Sequence, residues 1–406
     1  MVSLGNVPLL SDDDPVRRAG LACLLSRPAR EAHTLEYDNA VITVDPNCAF
    51  AVCRFPGGST HEEVFAGGVA SMQAGLDLLS IKGQADLVAK DSQDEYVAWW
   101  SQGGKDWVAI GATVNIAADV GHPTLTQTDS QGNPVPIDPP KPPQHHPAYR
   151  FFRLSRVSDD LFDSYRNMYV AFELLLSDRF PKGREKEIDW LKDSLRSSCK
   201  DLRLDTFVPS SVSDPVEWFV RRIYDNARLP LFHAKSSRLF MSHGSAVSVR
   251  HELLQSLELL TKVVLRMAEI WHENHRLSGF VYLHWLNDNI RSQLRGSRFC
   301  VTDWQGPVTR KDDLSHERFR SVVEFPAAES ETFASDSRFN TSGTVSVEKL
   351  ATLQDVRTID LVGDTHPLIG HALETPLSVT GFDVLEARVF VRSFNVSQPK
   401  TVFHVY

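Results

Sequence analysis

The sequence predicts an α+β protein with a central four-helix bundle, flanked by an N-terminal mixed α/β domain and a C-terminal β-rich domain. Three observations predict it. Apolar residues recur at helical spacing from 157 to 277. Short β-branched and aromatic runs, bounded by turn residues, lie on both sides of that stretch. A proline-rich segment separates the first part from the helices. At 406 residues the chain has room for two or three domains, and 42% apolar with 23% charged residues rules out a disordered tail. The boundaries read as 1–131 for the mixed α/β domain, 132–148 for a linker, 149–295 for the bundle and 296–406 for the β-rich domain.

In the first domain, Ala40–Val44 and Phe50–Phe55 bracket an Asp45-Pro46-Asn47 turn and read as a hairpin. Val69, Met72, Leu76 and Leu79 share one helical face, closed by Gly83. Tyr96–Trp100 and Trp107–Ile116 read as two strands joined across Gly103-Gly104. Alternation then puts Trp99 and Trp100 on opposite faces of one strand.

Residues 132–147 carry seven prolines in sixteen positions, which makes the segment extended and semi-rigid. Beyond it, Leu161, Tyr165, Met168, Phe172 and Leu175 follow one face of a first bundle helix. Ile188, Leu191 and Leu195 mark a second. The third has Asp214 as N-cap, Pro215 at the first helical position and Glu217 two residues on, with a stripe of Val216, Phe219, Val220, Ile223 and Ala227. In the fourth, Leu253, Leu257, Leu260, Val264, Met267 and Trp271 alternate steps of four and three, the spacing of a bundle seam. After 296, segments such as Val356–Val362, Val384–Ser393 and Thr401–Tyr406 read as short strands.

Five cysteines without CxxC spacing predict reduced thiols rather than a disulfide framework or a zinc knuckle. The longest apolar runs are too short to span a bilayer, and Leu21–Leu25 is too short for a secretory core, so a cytoplasmic protein without a membrane segment is expected. A net charge of −9 excludes a general nucleic-acid coat and leaves RNA contact to a local site. Phosphate-loop, dinucleotide, zinc-protease and nucleophile-elbow motifs are absent. His145-His146 is a pair of metal-ligating side chains in a linker with no further ligand in sight, so neither a metal nor a cofactor is expected.

The third helix runs into Arg228-Leu229-Pro230-Leu231-Phe232-His233-Ala234-Lys235. Arginine and histidine separated by four to six residues occur elsewhere, as Arg27/His33 and Arg266/His272 show, so context selects Arg228 and His233. An Arg-x4-His motif ending the third helix of a four-helix bundle resembles the HEPN superfamily. The string RLPLFHAK is similar to a subgroup of accessory proteins from methylamine-utilisation operons. The resemblance covers about a third of the chain. It implies a metal-independent endoribonuclease or toxin-like defence protein acting on RNA as a homodimer through the bundle. His233 would be the general base or acid, Arg228 would stabilise phosphate charge, and Asn226 and Lys235 would assist on the phosphate side. Leu229 stands where active members carry a polar residue, Pro230 bends the helix, and Lys235 replaces a tyrosine found in some toxins. The second reading is therefore a non-catalytic binding, scaffold or operon accessory protein with a partner encoded nearby. In it Arg228 pairs with an acid of the first bundle helix or of a dimer partner, and His233 is a core or capping residue.

Overall fold

The computed structural model describes every residue except Met1, 11–13, 91–94, 118–126, 136–141, 143, 233–246, 275–282, 305, 307–320, 329–330, 334–337, 364–366 and 395–406. Two compact units contain the described residues. One draws on Met1–Ala118 and Val281–Tyr406, the other on Asp119–Ser242 and Ser248–Phe280.

The first unit is built on two large sheets. The nine-stranded sheet has the order Glu331–Phe333, Arg338–Ser346, Val384–Phe394, Lys105–Ala117, Glu95–Gln102, Ala19–Leu24, Phe50–Phe55, Ala40–Val44 and His33–Tyr37. Its neighbours are antiparallel except for Val384–Phe394, which runs parallel to Lys105–Ala117. The six-stranded sheet has the order Val322–Pro326, Arg298–Thr302, Val356–Val362, Pro367–Ser378, Ser3–Leu4 and Val7–Pro8. Side chains of both sheets, among them Trp99, Phe50, Phe299, Phe339 and Ile359, meet in one core. The opposite face of the larger sheet is covered by helix α1, His61–Ile81, through Val64, Met72, Leu76 and Leu79.

Local chemistry accounts for these elements. Gly103 and Gly104 take positive φ and let Glu95–Gln102 turn tightly into Lys105–Ala117. Thr60 caps α1 by accepting from the Glu63 amide. Strand alternation sends Trp99 into the inter-sheet core and Trp100 beneath α1. A Cβ at Gly111 would lie 1.9 Å from the Tyr96 ring, so only glycine admits that ring there. α1 is long and apolar enough by composition to cross a membrane, yet here its apolar stripe lies on the sheet.

The second unit is helical: α2, Ala148–Val157; α3, Leu161–Arg179; α4, Glu187–Leu202; α5, Pro215–Val220; α6, Leu229–Phe232; and α7, Val247–His272. Asp160 caps α3 and Asp214 caps α5 through their carboxylates. Between α5 and α6 the residues Arg221–Arg228 form a π-helix, in which the Leu229 amide donates back to the Tyr224 carbonyl. Pro230 has no N–H with which to continue the ladder, and the widened register directly precedes it. A last helix, α8, Leu283–Leu294, belongs to the first unit, where Ile290 and Leu294 join the inter-sheet core.

The expected architecture is therefore corrected. Among the described residues, no central four-helix bundle organises the molecule. The fold is α+β, with two large sheets in the first unit and helices making up the second. Strands from the two chain ends bond directly: Val384–Phe394 with Lys105–Ala117, and Pro367–Ser378 with Ser3–Leu4. Hydrophobic periodicity marks a strand but does not name its partner, so the shared sheets leave no trace in a local pattern.

Candidate functional site

Arg228 ends the π-helical stretch with its side chain only 13% exposed. Its guanidinium lies 2.8 Å from the Glu187 carboxylate, in the first turn of α4. Three rings surround it, with centroids 5.8 Å away for Tyr169, 5.1 Å for Tyr224 and 5.3 Å for Phe232. The Tyr224 hydroxyl donates to the other Glu187 oxygen at 3.3 Å. Glu173 is close enough for its carboxyl to be felt: burial raises it above the usual range, Glu187 raises it further, and Arg228 opposes both. Burial also pushes the Tyr165 and Tyr169 hydroxyls well up. One cation thus faces two acidic side chains among aromatic rings.

Of the other sequence-selected residues, only Asn226 is among the described ones, and it is not part of this group. Asn226 is exposed, and His233 and Lys235 lie outside the described residues. Arg228 does meet an acid, but one from the start of α4.

A second polar group lies at the ends of three helical-unit elements. His146 precedes α2, Asp178 is in the last turn of α3, and His272 is the last residue of α7. One ligand atom from each lies within 4.8 Å of the others. The rings of His146 and His272 are 4.9 Å apart, and His146 Nε2 is 3.9 Å from Asp178 Oδ2. Both histidines are half-buried and Asp178 is exposed. His146 is held below the ordinary imidazole range, first by burial and then by His272. Tyr149 packs edge-on against both rings, and its hydroxyl accepts from Asn274 Nδ2 at 2.8 Å. The sequence shows His146 and His272 separately and gives no sign of Asp178, since nothing local says that these three element ends converge.

The first unit holds buried polar groups too. His61 Nε2 lies 2.9 Å from the Tyr96 hydroxyl beneath α1, and burial, with Arg388 nearby, drives its pKa down to about 3. Glu95 contacts His371 at 2.8 Å and accepts from the Glu374 amide, which ties the larger sheet to the smaller.

With a fold made of two large sheets, the HEPN resemblance is corrected as well: an Arg-x4-His spacing recurs by chance, and here its arginine is packed against an acid instead of facing a cleft. No family model matches the chain, and no curated protein or solved structure matches it.

Proposed function

We propose that this chain is a non-catalytic binding or scaffold protein of the cytoplasm, working through a protein partner that is either a second copy or the product of a neighbouring gene. The observation that carries this reading is the closed setting of Arg228. Phosphate recognition needs guanidinium N–H groups that can reach the ligand. Arg228 instead directs its charge at Glu187 and is ringed by Tyr169, Tyr224 and Phe232. Withdrawing it toward a phosphate would leave Glu187 without its counter-charge, and the nearby Glu173 would repel the incoming anion. A net charge of −9 adds no attraction for RNA.

The test is direct. Purified protein incubated with single-stranded RNA in EDTA is expected to leave the RNA intact, and light scattering reads whether the partner is a second copy. RNA cleavage by the wild type that disappears in His233→Ala would overturn the proposal.

A further inference from the structure

We propose that His146, Asp178 and His272 form a binding site for a divalent transition-metal ion of the zinc class. This stands independently of the reading of Arg228, which lies in a different polar group. Three features carry it. The first is the donor set, two imidazoles and one carboxylate with one ligand atom each inside a 4.8 Å span. Imidazole selects zinc, cobalt, nickel or copper over magnesium and calcium, which favour all-oxygen sites. The second is the exposure gradient: two half-buried rings form the floor and the exposed Asp178 forms the rim. A three-ligand site of this kind leaves at least one position for water or for a group from a partner.

The third feature is the layer that holds the rings. Glu273 takes φ +53 directly after α7, and the Asn274 amide closes back onto the Ala268 carbonyl. The Asn274 side chain then clamps Gln144, accepting from its amide at 2.9 Å and donating to its carbonyl at 2.7 Å. The same Nδ2 reaches Tyr149, whose ring edges both histidines. One asparagine thus fixes the segment bearing His146 against the helix end bearing His272. Second-layer bonds of this kind orient ligands in metal sites.

Metal at tetrahedral bond lengths of about 2.0–2.1 Å needs donors roughly 3.4 Å apart, so ligand atoms that now lie within 4.8 Å of one another must close by up to about 1.4 Å. The exposed Asp178 has the freedom to do most of this. His146 Nδ1 accepts from the Ala148 amide at 3.1 Å, which places the ring proton on Nε2. Binding at Nε2 moves that proton to Nδ1 and loosens the Ala148 contact. The site is accordingly weaker than a closed four-ligand structural zinc site.

The experiment uses the full chain, stripped with EDTA, dialysed and titrated with zinc chloride by calorimetry and with cobalt chloride by visible absorption. One ion per chain is expected, with cobalt bands in the visible and a melting temperature that rises with zinc. His146→Gln, His272→Gln and the surface change Asp178→Asn should each weaken binding by about tenfold or more. His145→Ala, on the neighbouring exposed ring, should leave it unchanged. Asp178→Asn preserves the fold whatever happens to the buried rings. No saturable binding, equal affinity in Asp178→Asn, or an equal loss in His145→Ala would each overturn the assignment.

Discussion

Arg228 and His146 belong to the same helical unit, and their surroundings differ in kind. Arg228 is closed: it meets Glu187 at 2.8 Å, has three rings around it and is 13% exposed. His146 is as buried, at 12% exposed, but has no close counter-charge: it stands beside a second histidine, and its Nε2 lies 3.9 Å from the exposed Asp178 carboxylate. The difference teaches that residue type alone does not mark a site. An arginine paired with an acid and ringed by aromatic side chains builds structure, whereas donors grouped at element ends without a close ion pair are the ones proposed to take a ligand.

His61 extends the closed class to the β-rich unit and provides the largest expected effect. Its folded pKa of about 3 lies below the unfolded value near 6.5, so the folded state favours the neutral ring. That contribution is fully present above pH 6.5 and is lost as pH falls from there through about 3. At about 1.4 kcal/mol per pKa unit, the loss amounts to about 4–5 kcal/mol. Chemical denaturation of wild type and His61→Gln across that window isolates it, since the variant should lack this slope. Equal pH dependence in the two proteins would remove His61 from the closed class.

Next in size is Arg228→Ala. It removes the counter-charge of Glu187 and the cation from the ring cluster, and should cost about 3–5 kcal/mol in urea unfolding. A loss under about 0.5 kcal/mol would mean a solvent-facing arginine and would reopen the phosphate-binding reading. The smallest effect sharpens the other side: Asp178→Asn in metal-free protein should change stability by less than about 0.5 kcal/mol, because the exposed carboxylate makes only a long 3.9 Å contact with His146. A large loss there would make the histidine group structural.

What was legible in the sequence was local. The Asp214 cap, the Gly103-Gly104 turn and the Ala40–Val44 with Phe50–Phe55 hairpin each carry their signal within a few residues, and each is present. The helical reading of the sequence begins at 157 and so leaves out α2, a short helix that starts directly after the prolines. The parallel pairing of Val384–Phe394 with Lys105–Ala117 depends on chain segments far apart, and no periodicity encodes it. The same holds for function. Arg228 and His146 were visible as residues, but Glu187, Asp178 and His272 became their neighbours only through packing of the helices.

The most direct test is a double-mutant cycle between Arg228→Met and Glu187→Gln, read by urea unfolding. If Arg228 is a structural cation held by Glu187, the two changes should be strongly non-additive, with a coupling of about 1–3 kcal/mol. Additivity within about 0.3–0.5 kcal/mol would show that the pair does not hold the helices together, and would contradict the account.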